Sequence, residues 1–94
     1  MELMVEFAGL ARMHTRVPRF TMQLEQGTTF RQILGMLGDR YPELVGDVIS
    51  PGLDSLRSSN MLNLNGKHMI QPSQMNQCPA KGDRLILMSI LAGG

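Results

Sequence analysis

The residues of this chain best suited to chemistry are Ala92-Gly93-Gly94, which follow an apolar, strand-like run from Arg84 to Leu91. Because glycine has no Cβ atom, a Gly-Gly terminus is narrow and can adopt backbone angles that other residues avoid. Such a terminus can enter a narrow channel in another protein. We interpret residues 92–94 as a flexible reactive tail whose reacting group is the Gly94 carboxylate. The alternative is that the two glycines stand there by chance or through truncation.

A reactive tail needs a rigid body to carry it, and the first part of the chain indicates one. Residues 2–8 and residues 19–25 both alternate between apolar and polar side chains, which is typical of half-buried strands. Together they predict an antiparallel hairpin. Residues 9–18 contain Gly9 and Pro18 and are predicted to form a loop between the two strands.

The next segment carries the pattern of an amphipathic helix. Thr29 is followed three residues later by Gln32, which matches a capping box. Apolar residues then recur at helical spacing, at Phe30, Ile33, Leu34, Leu37 and Tyr41. Pro42 ends the helix, since the residue before a proline leaves the α region. Gly35 and Gly38 each weaken it by about 1 kcal/mol, so packing on a sheet must offset that loss.

The second half of the chain predicts three more strands. Residues 61–65 lead into Asn65-Gly66, a strong hairpin signal because both turn positions need positive φ. Residues 67–70 form the short return strand, and residues 84–91 form the last one. The order β-β-α-β-β-β predicts one α+β domain over residues 1–94, with a mixed sheet of four to five strands packed on one main helix.

The last strand is apolar on both faces, which indicates a central position in the sheet. A single helix can cover only one face, so the other stays exposed unless a partner covers it. We expect an apolar docking surface for partner proteins beside the tail, formed by Ile86, Met88, Ile90 and Met61. The alternative is that these are scattered surface residues, which are common.

Composition excludes several classes of protein. Nine Lys and Arg balance eight Asp and Glu over 94 residues, and no basic cluster with aromatic side chains occurs, which argues against nucleic-acid binding. No apolar run reaches the length of a membrane span. One cysteine, Cys78, cannot form an internal disulfide, and the first residues are acidic where a signal peptide is basic; both favour the cytoplasm.

Other candidate sites are weak. Cys78 could be a sulfur acceptor, but it has no His or CxxC companion, so we interpret it as an ordinary cysteine. His14 and His68 lack the spacing of metal ligands, so we expect no metal site. No Gly-rich phosphate loop occurs, so any ATP would have to be bound by another protein. Four basic residues could contact acidic residues of a partner, but we interpret them as ordinary solvated charges: Arg12, Lys67, Lys81 and Arg84.

Four stretches taken in order are similar to one family. They are residues 3–8, residues 40–44 (Arg-Tyr-Pro-Glu-Leu), the turn at residues 64–66, and residues 82–87 running on to Ala92-Gly93-Gly94. The chain resembles the β-grasp (ubiquitin-like) fold, and more narrowly the MoaD/ThiS family of sulfur carriers. Its length, residues 40–44 and the final Ala-Gly-Gly are most similar to the small subunit of molybdopterin synthase.

The resemblance implies a reaction cycle on the tail. A ubiquitin-activating-like adenylyltransferase would use ATP and magnesium to adenylate the Gly94 carboxylate, and a persulfide would displace AMP to leave a thiocarboxylate. The sulfur would then pass to a pterin precursor on a synthase large subunit, or to another sulfur acceptor enzyme. The chain itself would bind no cofactor and would not be catalytic alone.

Three other functions remain open from the sequence. The sulfur could serve thiamine synthesis or tRNA thiolation. The chain could be a ubiquitin-like modifier that is conjugated to proteins through Gly94. It could also be a plain interaction module that docks through its sheet and has an inert tail.

Overall fold

Alternating apolar and polar residues form the first hairpin of the sheet. The computed structural model describes residues 1–57 and 59–89, and within them β1 (Glu2–Phe7) pairs antiparallel with β2 (Arg19–Gln23). The apolar positions of this hairpin lie in the core, at Leu3, Val5, Phe7 and Met22. The hairpin predicted from the sequence is confirmed.

The connection between these strands differs from the sequence prediction. Residues 9–18 were expected to form a loop, but residues Leu10–Thr15 form a helix, α1. Two residues of this helix, Ala11 and Thr15, are buried. An isolated helix of six residues is not stable in water. Tertiary packing therefore creates α1, and so short a segment carries no readable periodicity.

The main helix, α2 (Phe30–Arg40), begins and ends where the sequence predicts. The Thr29 hydroxyl accepts a hydrogen bond from the Gln32 N–H at 3.1 Å, and the Gln32 side chain accepts one from the Thr29 N–H at 2.9 Å. Residues Pro42–Leu44 continue as a 3₁₀ turn. The buried stripe of α2 contains Phe30, Ile33, Leu34 and Leu37. Neither helix in the described ranges is long and apolar enough to cross a membrane.

The two glycines of α2 play different parts. A Cβ atom on Gly38 would lie 2.7 Å from Cδ2 of Leu53, so the missing side chain lets the loop after α2 pack closely on the helix. A Cβ atom on Gly35 would meet only the Leu53 carbonyl, at an ordinary 3.5 Å. Close packing against Leu53 therefore explains why position 38 is a glycine, whereas no such contact explains the glycine at position 35.

The second hairpin forms at the predicted turn. Strands β3 (Asn60–Leu64) and β4 (His68–Met69) pair around Asn65 and Gly66, whose φ angles are 60° and 71°. The Asn65 side chain also accepts a hydrogen bond from the Arg84 N–H at 2.8 Å, which ties the turn to the start of the last strand. The return strand is shorter than the predicted residues 67–70.

The last strand, β5 (Arg84–Ser89), lies in the middle of the sheet. The strand order is β2-β1-β5-β3-β4, with β5 parallel to β1 and antiparallel to β3. Leu85 and Leu87 are fully buried on the face that carries the core. The predicted α+β architecture, a mixed five-stranded sheet on one main helix, is confirmed.

The glycine pair yields a stability test. We expect Gly35→Ala to stabilise the protein by about 0.5–1 kcal/mol, because alanine favours helix. Gly38→Ala has the same propensity gain, but the added methyl group must displace Leu53, so we expect no net gain or a loss. Thermal melts measure both, at about 4–8 °C per kcal/mol. Equal stabilisation by both variants would contradict the packing assigned to Gly38.

Candidate functional site

The predicted tail, Ala92, Gly93 and Gly94, lies outside the described residues, as do Ile90 and Leu91 of the predicted last strand. The site is therefore built from Ser89, the last residue of β5 and five positions before Gly94. We call Ser89 and the residues that hold it the tail root. Its geometry fixes the last described position before the tail.

The tail root is held on two sides. In the sheet, the Ala8 N–H donates to the Leu87 carbonyl at 3.0 Å, and Ser89 lies opposite Asn60 of β3. Beyond the sheet, the Ser89 hydroxyl accepts a hydrogen bond from the Leu10 N–H at 2.7 Å. Because Leu10 is the first residue of α1, the helix missed by the sequence prediction anchors the end of β5.

Gly9 makes this anchor possible. Its φ and ψ angles are 62° and −132°, a conformation that residues with side chains rarely adopt. A Cβ atom on Gly9 would also collide with the Ser89 hydroxyl. Gly9 comes two residues after the end of β1, and glycine is the residue type that such a close approach requires. The glycine at position 9 is therefore the signal in the sequence that points to the tail root.

The structure brings three of the four predicted docking residues together on the outer face of the sheet. Met88 lies directly opposite Met61, and Ile86 lies two residues before Met88 on the same face. All three are half-buried, whereas Leu85 and Leu87 on the inner face are fully buried. We call Ile86, Met88 and Met61 the outer patch.

No helix in the described ranges packs on the outer patch. The buried stripe of α2 meets the inner face, and α1 is bonded to Ser89, which shares the inner face with Leu87. The exposed apolar area extends further, because Met69 of β4 is 39% exposed and lies on the same face. A methionine-rich surface therefore faces solvent beside the tail root.

A small cavity adjoins the outer patch at the β3–β4 edge, and no pattern in the sequence predicts it. Its volume is about 260 Å³. Apolar side chains dominate its lining, at Leu56, Met61, Met69, Ile70 and Met75. Arg31 at its rim donates hydrogen bonds to the Asp54 carbonyl and the Asn76 side chain, both at 3.1 Å. The cavity is smaller than ordinary ligand pockets and is suited to one side chain of a partner.

Cys78 lies at the opposite end of the molecule from the tail root. Its thiol donates to the Gly27 carbonyl at 3.3 Å, just before α2 begins. The other end of α2 reaches β1 near the tail root, where the Tyr41 and Phe7 rings are 5.2 Å apart. The helix of eleven residues separates the two ends by about 16 Å.

The two histidines lie on different elements, His14 on α1 and His68 on β4. The His14 ring lies 3.1 Å from the Asp47 carboxylate and so links α1 to the segment after α2. His68 is exposed in β4. Among the described residues, His, Cys, Asp and Glu side chains nowhere gather in threes as a metal site requires.

No protein-family model matches this chain, and no curated protein matches it significantly in sequence.

Solved structures, in contrast, match the chain over nearly its whole length. It is similar to SAMP1 from Haloferax volcanii, a small archaeal modifier protein, with a TM-score of 0.81 and 17% identity over all of both chains. It is also similar to a putative molybdopterin converting factor subunit 1 from Pyrococcus furiosus, with a TM-score of 0.74 and 15% identity over 97% of this chain and 99% of that one.

A third similar structure is a protein–protein complex of subunits 1 and 2 of the molybdopterin-converting factor from Helicobacter pylori. Its TM-score is 0.60, with 19% identity over all of both chains. Identities this low show a shared fold. The chain has the β-grasp, ubiquitin-like fold of these proteins.

Proposed function

We propose that this protein is a sulfur carrier whose Gly94 carboxylate is adenylated, converted to a thiocarboxylate and used to supply sulfur for molybdopterin biosynthesis. One observation carries the proposal. The central strand β5 leads towards Ala92-Gly93-Gly94 while exposing Ile86 and Met88 on the face that no described helix covers. The similarity to a molybdopterin converting factor subunit 1 supports the choice of pathway.

The chemistry needs activation because a carboxylate is a poor electrophile. In the proposed cycle, the Gly94 carboxylate attacks the α-phosphorus of ATP and releases pyrophosphate, with magnesium bound by the activating enzyme. A persulfide then displaces AMP, and a thiol reduces the resulting acyl disulfide to the thiocarboxylate. Held covalently in this way, the sulfur never diffuses as free sulfide.

The tail root sets the geometry of that reaction. A five-residue segment spans at most about 17 Å, so the reacting carbonyl must find its partner within that distance of Ser89. Binding of the outer patch, a few residues earlier on β5, then brings Gly94 to the active site as an intramolecular step. Hydrogen bonds at Leu10 and Ala8 keep the starting point fixed.

The partners follow from the same surfaces. An adenylyltransferase and a synthase large subunit would each cover the outer patch in turn and receive the tail. The Helicobacter pylori complex of subunits 1 and 2 supports a large-subunit partner. The carrier would work in the cytoplasm, where the unpaired thiol of Cys78 stays reduced.

Deletion of Gly94 tests the reacting group. We expect the shortened chain to lose all ATP–pyrophosphate exchange with the activating enzyme, because its carboxylate ends one residue short. The melting temperature would not change, since the last core residue within the described part of the chain is Leu87. Undiminished exchange by the shortened chain would overturn the carrier proposal.

A pair of neighbouring substitutions tests the docking face. We expect Met88→Asp to leave the chain folded, because Met88 is only half-buried, but to weaken binding to the activating enzyme by several kcal/mol, since the charge becomes buried without a partner. Leu87→Asp places the same charge in the core, and we expect that chain to unfold. Circular dichroism and titration calorimetry measure the two effects. An unfolded Met88→Asp chain would contradict the assignment of Met88 to the outer face.

Cys78 allows a test of where the sulfur rides. We expect Cys78→Ser to acquire sulfur at the wild-type rate, because Cys78 and the tail root lie at opposite ends of the molecule. Intact mass after incubation with activating enzyme, ATP and a sulfur donor measures the replacement of one oxygen by sulfur. A folded serine variant that gains no such mass would show that Cys78 relays the sulfur.

A second function is favoured by the similarity to SAMP1, a small archaeal modifier protein. In that case the activated Gly94 carbonyl would be transferred to lysine amines of target proteins. Both functions share the adenylate. They are distinguished in cells, because a modifier yields isopeptide-linked conjugates and a sulfur carrier yields a thiocarboxylate on the free chain.

A further inference from the structure

The solvent-facing side of α1 has an unusual composition for a surface helix. Ala11 and Thr15 face the core, and the opposite side presents Arg12, Met13 and Arg16. Met13 is 70% exposed. Arginine and methionine are enriched in protein interfaces, where lysine is depleted. The exposed side of α1 thus has the composition of a contact surface.

The arginines in this region have no acidic partners within the described residues. Arg19 stands directly opposite Glu6 in the sheet, yet the Glu6 carboxylate lies 3.7 Å from the guanidinium of Arg84 instead. Asp47, which is held against α1, pairs with His14 at 3.1 Å. These two carboxylates are therefore engaged elsewhere, and Arg12, Arg16 and Arg19 have no ion-pair partner within the described part of the chain.

These residues lie at the same end of the molecule as the tail root. α1 begins at Leu10, whose N–H is bonded to Ser89. Arg19 opens β2 and lies in the same cross-strand row as Ile86, with Glu6 between them. We call Arg12, Met13, Arg16 and Arg19 the basic surface.

We infer that the basic surface contacts an acidic surface of the adenylyltransferase, beside the channel that receives the tail. This inference rests on the proposed function. Arginines that are free in the isolated chain can form bidentate pairs with partner carboxylates. Complementary charge chiefly accelerates association and orients the encounter, while the outer patch supplies the apolar contact. The basic surface would thus guide Gly94 to the channel before the apolar faces meet.

A protein partner fits better than a nucleic acid. Single-stranded nucleic acids are bound by basic grooves with aromatic side chains on which bases stack. The four residues of the basic surface include a methionine and no aromatic side chain on which a base could stack. The partner is therefore expected to be an acidic protein surface.

Two double charge reversals test the inference. The first is Arg12→Glu with Arg16→Glu. The matched control is Lys67→Glu with Lys81→Glu, which replaces the same number of positive charges at the opposite end of the molecule, in the turns before β4 and β5. All four side chains are exposed, and thermal melts confirm that each variant is folded. If the first variant fails to fold, Arg12→Gln with Arg16→Gln takes its place.

The probe is an adenylating enzyme of the ubiquitin-activating type that supports pyrophosphate exchange with the wild-type chain. Stopped-flow measurements give the association rate constant from about 0.01 to 0.15 M salt, over which the screening length falls from about 30 to about 8 Å. We expect the Arg12/Arg16 reversal to slow association about tenfold or more at low salt and to remove its salt dependence. The Lys67/Lys81 reversal would retain both.

The other outcomes overturn the inference in distinguishable ways. Equal effects of the two reversals would show that net charge alone sets the association rate. No effect of either reversal would show that the basic surface does not contact the enzyme. Salt-dependent retention of a single-stranded RNA probe, lost only in the Arg12/Arg16 reversal while enzyme association is unchanged, would assign the surface to nucleic acid. Failure of the wild-type chain to support exchange with any such enzyme would overturn the proposed function, and the inference with it.

Discussion

The exposed face of β5 follows from a simple constraint, namely that one helix can cover only one side of a sheet. β5 is the central strand and is apolar on both sides, so Leu85 and Leu87 are sealed beneath α2 while Ile86 and Met88 face outward. A polar outer face would avoid this exposure at no cost to the core. Its apolar character is therefore best explained by a partner that covers it, and the strand that carries it also leads into the Gly-Gly terminus.

α1 holds the end of β5, which precedes the tail in sequence. A helix of six residues has little stability of its own, and its burial at Ala11 and its hydrogen bond to Ser89 are what hold it in place. The same bond fixes the end of β5, and Gly9 allows the close approach. One short element thus positions the tail root and presents Arg12, Met13 and Arg16 beside it. The outer patch and the basic surface therefore lie at the same end of the molecule.

Local signals made much of the fold predictable. The capping box at Thr29 and the paired positive φ angles at Asn65-Gly66 depend on a few neighbouring residues, and the strands follow from alternation. α1 could not be predicted, because packing against β5 creates it. Gly38 is explained by its contact with Leu53, and the cavity beside Met61 is lined by residues from separate segments. Neither contact can be predicted from neighbouring residues in the sequence. The unpaired state of Arg19 appears only when the register places Glu6 near Arg84.

The central claim is that sulfur is carried on the terminal carbonyl of this β-grasp body. Fragmentation mass spectrometry of the wild-type chain, after reaction with activating enzyme, ATP, magnesium and a sulfur donor, tests it most directly because it locates the added atom. We expect sulfur in the C-terminal fragment, in place of one oxygen of Gly94. Sulfur found on Cys78, or Gly94 joined to a lysine with no thiocarboxylate formed, would contradict it.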